Sequence, residues 1–256
     1  MKQTVICDLD GVVYRGSEAL PGAAAAVERL VASGFRIVFV TNNSSRTEIQ
    51  VADKLEAVVG HRPDIDDIVT SARAALALVP EGASCLVVGG DGIREAIDSA
   101  GFSVTGSSDE ADCVIVGLDR GFDYQRMDVA SRAIRSGAVF VATNVDPTFP
   151  AEQSIMPGAG AIVAALQTAS GVTPLVAGKP EKPIRDLIRS RGVEDAWVIG
   201  DRPDTDIAMA EAEDGWTSIL VLTGVTPEGA DTGGADHVVA DLAAAVDLVI
   251  AGDNEQ

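Results

Sequence analysis

The chain is poor in lysine. Only four of its 19 basic residues are lysine, whereas aspartate supplies 25 of its 39 acidic residues, and the formal net charge is −20. A field of that sign repels nucleic-acid polymers and anionic membrane surfaces at long range, which argues against both as partners. A site for a small anion must therefore be made locally positive. The Asp and Arg bias fits the hydrated surface of a protein from a salt-rich cytoplasm, or a high-GC genome that shifts Lys toward Arg. Cysteine is scarce too. Cys7, Cys85 and Cys113 each lie in an apolar, strand-like run, are odd in number and lack metal-ligand spacing, so they read as buried hydrophobes in a reducing compartment. No apolar run approaches the ~20 residues that span a bilayer, and the first residues carry no secretory h-region. The expected location is the cytoplasm.

What is present is an alternation of strand-like and helix-like patterns with short Gly, Pro or Asn punctuation, the signature of parallel α/β sheets. At 256 residues the chain can form one large or two moderate domains. A first block predicts a strand at Thr4–Cys7, a helix over 21–33, a strand over 36–40, a helix over 45–59 and a short strand near 67–70. A second block predicts strands over 86–89, 113–117 and 139–142, with helices over 92–99, 123–135 and 159–169. A final block predicts a helix over 181–191, strands over 197–200, 219–222 and 237–239, and a helix over 241–250. The polar tail from Gly252 is expected to lie outside it.

Four stretches carry chemistry. In TVICDLDGVVY, residues 4–14, an apolar strand delivers Asp8 and Asp10, which sit two residues apart and so project the same way. Two such carboxylates repel unless a cation neutralises them, and hard Mg²⁺ prefers these oxygens. The plain alternative is a strand followed by an Asp-Gly turn. An EF-hand does not fit, because Gly11 and Ala19 fall where that loop needs other residues. In RIVFVTNNSSRT, residues 36–47, a strand ends in Thr41, Asn42 and Asn43, whose hydroxyl, amide and backbone donors suit an anion; capping of the next helix by Ser44 or Ser45 is the alternative. In VAGKPEKP, residues 176–183, Lys179 follows a short apolar run and offers a point charge, unless it is a solvated surface lysine. In AWVIGDRPDTDI, residues 196–207, a strand ends in Asp201, with Asp204 and Asp206 close behind; helix capping by Asp204 or Thr205 explains only part of that acidity. Parallel strands gather their carboxyl ends on one rim, where Asp8, Asp10, Thr41, Lys179 and Asp201 could meet. Gly89–Gly92 and Gly158–Gly160 do not match a dinucleotide-binding fingerprint. The second pair is expected where the chain returns from the second block to the first.

In this order the four stretches resemble the haloacid dehalogenase (HAD) superfamily. The specific likeness is to its capped branch, subfamily IIA, related to 4-nitrophenyl phosphatases, pyridoxal phosphate phosphatases and the N-acetylglucosamine-operon nucleotide phosphatase. VIVGLDRGFDY at 114–124, VATNVDPTFP at 141–150 and PGAGAIVAAL at 157–166 extend it over essentially the whole chain. The resemblance implies a Rossmann-like core with a parallel sheet, residues 1–79 and 178–256, interrupted by an α/β cap over 80–177. It implies that Asp8 is the nucleophile of an aspartyl-phosphate mechanism and Asp10 the general acid and base. Mg²⁺ would be held by Asp8, the Asp10 carbonyl and Asp201, with Asp206 orienting that shell through water or Lys179. Thr41 and the backbone at Asn42 and Asn43 would cradle the phosphoryl group. Asn144, Asp146 and Phe149 are the candidates for specificity in the cap, unless Asn144 and Asp146 only shape their loop. Phe149 stands where pyridoxal phosphate phosphatases carry a histidine, which weakens that substrate reading. The expected activity is Mg²⁺-dependent hydrolysis of a small phosphorylated metabolite, with a homodimer as the expected assembly. A phosphotransferase or mutase on the same scaffold, and a receiver-like phospho-Asp signalling protein, are the alternatives.

Overall fold

The apolar runs that end in Asp, Thr or Gly are strands, and they fall into two parallel sheets. The computed structural model describes residues 4–150 and 154–254. The chain begins with β1 (Thr4–Cys7), a small hairpin of β2 (Tyr14–Arg15) and β3 (Glu18–Ala19), and α1 (Ala23–Ala32). Next come β4 (Arg36–Thr41), α2 (Glu48–Val59), β5 (Ile68–Thr70) and α3 (Ser71–Ala75). The second sheet starts with β6 (Ser84–Val88), α4 (Asp91–Ser99), β7 (Ser103–Thr105), β8 (Cys113–Val116), α5 (Tyr124–Arg135) and β9 (Val139–Ala142). A two-stranded flap, β10 (Thr148–Pro150) and β11 (Ile155–Pro157), leads into α6 (Ala159–Ser170) and β12 (Leu175–Val176). The chain then returns through α7 (Lys182–Ser190), β13 (Ala196–Gly200), α8 (Ala208–Glu211), β14 (Trp216–Val221), β15 (His237–Val239) and α9 (Leu242–Asn254).

The first sheet has the order β15-β14-β13-β1-β4-β5, with every pair parallel. The strand order reverses at β1, which lies between β4 and β13, and a parallel α/β sheet opens its ligand crevice at such a reversal. Alternate β1 residues face different sides: Val5 and Cys7 join one hydrophobic cluster with α1 and α9, and Ile6 joins another. The second sheet has the order β12-β9-β8-β6-β7, also parallel. Leu86, Val114 and Phe140 pack against α5 and α6 on one face; Cys85, Cys113 and Val141 share a cluster with Ile6, Val38 and Ile184 of the first sheet and its helices. The two sheets are thus joined by buried apolar contact as well as by the chain.

Local rules explain the helix ends. Thr47 accepts from the Gln50 N–H while Gln50 returns a bond to the Thr47 N–H, a capping box, and Gly60 closes α2 at φ +73°. Asp123 caps α5 through the Arg126 N–H. Neither Ser44 nor Ser45 caps α2; the Ser44 hydroxyl instead meets the Thr143 hydroxyl at 2.9 Å, across the junction of the sheets. The hairpin, the flap and β7 are two- or three-residue strands too short for a visible period in the sequence. Pattern alone placed 219–222 where β14 spans Trp216–Val221. It also ended the last helix early: α9 continues through Gly252, where a β-carbon would come within 3.0 Å of the Trp197 ring. No described helix is long and apolar enough to cross a membrane.

Candidate active site

β1 is flanked by β4 and β13 in a register that sets Cys7 beside Phe39 and Ile199, so Asp8, one residue on, and Thr41 and Asp201, two residues on, emerge together at the carboxyl rim. The Asp8 N–H still donates to the Ile199 carbonyl at 2.9 Å, which fixes the first residue past the strand. Asp8, Thr41, Asp201 and Asp206 are all buried. Charge there is tolerable only if it is paired.

The pairing cation is Lys179, which is 4% exposed. Its ammonium donates to Asp8 Oδ1, to Asp206 Oδ1 at 2.7 Å and to the Val40 carbonyl at 3.3 Å. The sequence pattern suggested that Lys179 ends a strand of the same sheet as Asp8. Instead the run before it is β12, an edge strand of the second sheet, and Gly178 carries the chain across. A β-carbon at Gly178 would meet Asn42 Oδ1 at 2.4 Å and the Thr143 carbonyl at 2.5 Å, so this crossing needs glycine.

Asn42 holds the crossing from the other side. Its Oδ1 accepts from the Lys179 N–H at 2.8 Å, and its Nδ2 reaches both Asp146 oxygens at 3.2 Å. Asn144 donates to the Asn42 carbonyl at 2.8 Å and to Asp146 at 3.2 Å. Asn42, Asn144 and Asp146 thus form one network that ties the second-sheet loop to the lysine. Asn43 also differs from expectation. Its N–H donates to Thr41 Oγ1 at 3.0 Å, and its Oδ1 accepts from the Ser45 N–H and hydroxyl, because a Thr or Asn side chain two residues back closes a tight turn.

Neither Asp204 nor Thr205 caps a helix, contrary to the capping alternative. Residues Pro203–Ile207 form a wide π-type turn with no side-chain cap, and Asp204 pairs with Arg202 at 2.9 Å. Asp206 turns inward, and its second oxygen accepts from the Arg202 N–H at 3.1 Å. The loop after β14 also reaches the site. Its Val225 N–H donates to Asp201 Oδ2 at 2.7 Å, and the Thr226 hydroxyl to the Asp201 carbonyl at 2.7 Å. A β-carbon on Gly11 or Gly224 would strike Asp201 Oδ2 at 2.6 or 1.7 Å, so two glycines admit this carboxylate. The only signal of that loop in the sequence was a Thr-Gly pair at 223–224 just past an apolar run. Gly158 and Gly160 open α6 rather than returning the chain to the first sheet, although Gly158 and Ala159 do line the site cavity.

The electrostatics follow from one ammonium among crowded acids. Burial raises the Asp8 pKa well above the usual carboxylate range; Lys179 opposes that, and Asp206 and Asp201 add to it. Asp201 is pushed up to about 7 by burial and by Asp206, against the Val225 N–H. Burial works against the Lys179 ammonium, but Asp206 and Asp8 outweigh it and hold its pKa above the ordinary value. Asp10 is raised by burial, with Lys54, Lys179, Arg46 and an Asn43 hydrogen bond pulling the other way. Oxygens of Asp8, Asp201 and Asp206 lie within 4.8 Å of one another. A surplus of buried negative charge around a cluster of hard oxygens suits a small divalent cation. The cavity over this rim, about 650 Å³ with solvent included, is lined on the second-sheet side by Asn144, Asp146 and Phe149.

Comparison with known proteins places this geometry. A haloacid dehalogenase-like hydrolase model matches residues 5–103, and a HAD-hydrolase-like model matches residues 176–245. The 5'-nucleotidase YutF of Bacillus subtilis is 39% identical over 226 residues, which are 86% of this chain and 87% of that protein. The chain belongs to the haloacid dehalogenase-like hydrolases. An acid sugar phosphatase of Staphylococcus epidermidis is 36% identical over 231 residues, 88% of each protein. The glycerol phosphate phosphatase of Mycobacterium tuberculosis, solved in complex with magnesium, superposes with a TM-score of 0.85 at 36% identity, covering 94% of this chain and 75% of that one. In this HAD hydrolase the first matched block contains Asp8, Asp10 and Thr41–Asn43, and the second contains Lys179, Asp201 and Asp206. The stretch between them, 104–175, holds Asn144, Asp146 and Phe149.

Proposed function

We propose that this chain is a Mg²⁺-dependent phosphatase of small phosphorylated metabolites that works through an aspartyl-phosphate on Asp8. The observation that carries the reading is the buried Lys179 ammonium held between Asp8 and Asp206 beside Asp201, at the floor of a cavity that Asp10 also lines. That is an arrangement for bringing an anionic nucleophile to an anionic ester.

Asp8 attacks phosphorus, and the bond to the leaving oxygen breaks as its electrons pass to that oxygen. Asp10, whose carboxyl pKa burial raises, gives the leaving oxygen a proton and then takes one from the water that cleaves the acyl-phosphate, restoring Asp8. Lys179 balances charge on Asp8 and the transferring oxygens. Asp206 holds Lys179 with one oxygen and the Arg202 N–H with the other, which makes it a positioning residue. Mg²⁺, held by the Asp8 and Asp201 carboxylates and the Asp10 carbonyl, would supply the positive charge that lets two anions approach. Thr41 and the backbone at Asn42 would receive the phosphoryl oxygens. The Asn43 N–H would join them only by leaving Thr41 Oγ1.

In this reading residues 1–79 and 178–256 are the catalytic core and 80–177 the cap. Asn144 and Asp146 use their polar groups to hold the loop against Asn42, and Phe149 is the cap residue that meets the substrate's alcohol portion. The relatives are named as a 5'-nucleotidase, an acid sugar phosphatase and a glycerol phosphate phosphatase, and these names support the class rather than one compound. A cytoplasmic homodimer completes the proposal, with sedimentation equilibrium as its test. The deciding experiment is phosphate release from a panel of phosphorylated metabolites and 4-nitrophenyl phosphate, with Mg²⁺ and with EDTA. Metal-dependent release into water supports the reading. Transfer of phosphate to a second metabolite would replace it with a phosphotransferase, and no turnover of any compound would overturn it.

A further inference from the structure

Beyond the site cavity lies a second, open cleft of about 2620 Å³, solvent included, that shares Asp10, Asn43, Leu118 and Phe149 with it. Its core wall carries Arg46 and Lys54, and its cap wall carries Arg120. In a chain with 19 basic residues and a net charge of −20, three cations on one cleft beside Asp10 are out of proportion to the surroundings.

The acids of the same cleft do not cancel them. Asp53 is paired with Arg62 at 2.5 Å. Asp119 is paired with Arg126 and also accepts the Gly121 N–H at 2.8 Å. Asp10 and Asp91 remain. On the basic side, the Lys54 ammonium lies 3.2 Å from the centre of the buried Tyr14 ring, which fixes its position without neutralising it. Burial lowers its pKa to about 8, with Asp10 supporting the charge and Arg46 opposing it. Among the described residues the Arg46 and Arg120 side chains have no hydrogen-bond or ion-pair partner.

Asp10 protonates the leaving oxygen in the proposed reaction, so the alcohol portion of the substrate must lie beside Asp10, toward this cleft. Resting on that reading, we propose that Arg46, Lys54 and Arg120 form an anion subsite that selects phosphomonoesters whose alcohol portion bears a second anionic group, a carboxylate or a second phosphate. Lys54 is half-buried and Arg46 and Arg120 are exposed; among the described residues none of the three forms an ion pair with a carboxylate, so each is left to an anion that arrives with the substrate. A neutral alcohol leaves them hydrated and gains nothing.

The test compares matched substrates. 2-Phosphoglycolate and 2-hydroxyethyl phosphate differ in a carboxylate; 1,3-propanediol bisphosphate and 3-hydroxypropyl phosphate differ in a phosphate. For the native enzyme with Mg²⁺, kcat/KM is expected to favour one or both anionic members by about tenfold or more. Whichever pair shows the preference names the group. In Lys54→Met/Arg120→Gln that ratio should fall to near one, and 0.5 M salt should reduce it in the native enzyme. If the double variant does not fold by circular dichroism, Arg120→Gln alone, at an exposed cap position, is compared with the native enzyme. A native ratio near one for both pairs, or a ratio untouched by the substitutions, overturns the subsite. If the native enzyme releases phosphate from no compound, the phosphatase reading fails instead. Calorimetric titration with phosphonoacetate and propylphosphonate then judges the subsite. A tighter Kd for phosphonoacetate that the substitutions abolish supports it, and equal Kd values overturn it.

Discussion

The two parallel sheets meet at one junction with opposite equipment. In the core sheet β1 and β13 are followed by Asp8 and Asp201 and β4 ends in Thr41; in the cap sheet β6, β8 and β9 are followed by Gly89, Gly117 and Thr143. The first rim gathers charge around a lysine. The second carries glycines and one threonine, so that the core loop can rest on it: a β-carbon at Gly117 would come within 2.3 Å of Ser44 Oγ, and one at Gly92 within 2.2 Å of the Arg46 carbonyl. Architecture is shared and function is divided, because what a sheet does depends on the residue just past each strand. Lys179 breaks the symmetry. It leaves the cap's edge strand and ends inside the core rim, so chemistry and docking are coupled through one crossing at Gly178.

If the division holds, substitutions on the charged rim should remove activity and those on the glycine rim should remove stability. Asp8→Asn should lower phosphate release on the order of 10⁴-fold or more, with an unchanged circular dichroism spectrum, because the proposed mechanism loses its nucleophile. Residual activity within tenfold of native would assign the attack elsewhere. Lys179→Met should affect both properties, since it strands two buried carboxylates; a loss of about 3–5 kcal/mol in urea unfolding is expected. An unfolding midpoint equal to native would show that Lys179 is not the counter-ion of a rigid site.

The pH dependence sharpens the charged side further. Asp201, pushed up to about 7, binds its proton more tightly folded than unfolded. Its contribution to stability is therefore present at low pH and is lost as pH rises through the folded value. Cation-free protein should melt lower at pH 8 than at pH 5.5, and saturating Mg²⁺ should raise the melting temperature most at pH 8; saturation at 100 times Kd is worth about 2.7 kcal/mol. Asp201→Asn should erase most of that Mg²⁺ shift, and an undiminished shift would place the ion at other ligands.

On the docking rim, Gly117→Ala should cost about 1–3 kcal/mol through overpacking against Ser44 and Thr143. Limited proteolysis near the chain crossings would report the loosened junction. The smallest effect is expected at the start of α2, where Thr47→Ala removes a side-chain cap and should cost about 1 kcal/mol with kcat unchanged.

Much of the charged rim was legible because each of its residues follows an apolar run in TVICDLD, RIVFVTN and AWVIGD, and parallel strands must end on a common side. The docking rim was not, since glycine after a strand reads equally as a turn. The route of Lys179 was hidden for a related reason. Leu175–Val176 is two residues long, and nothing local says to which sheet such a strand belongs. Asn42 was singled out for its backbone donor and Asn144 for specificity or for shaping its loop; the bonds their side chains make to the Lys179 N–H, the Asn42 carbonyl and Asp146 lie across the junction and could not be read from local sequence.

Sequence alone determined the alternation of strands and helices, the acidic surface, and the aspartates, threonine and lysine available for phosphate chemistry, because these depend on residue type and short-range spacing. Tertiary structure decided which of those groups share a proton or an ion. The bonds from Lys179 to Asp8 span 171 residues, and those from Val225 to Asp201 cross between adjacent strands. Distance along the chain carries no information about such pairs; only the strand order, and the glycines that let loops close upon it, bring them within hydrogen-bonding reach.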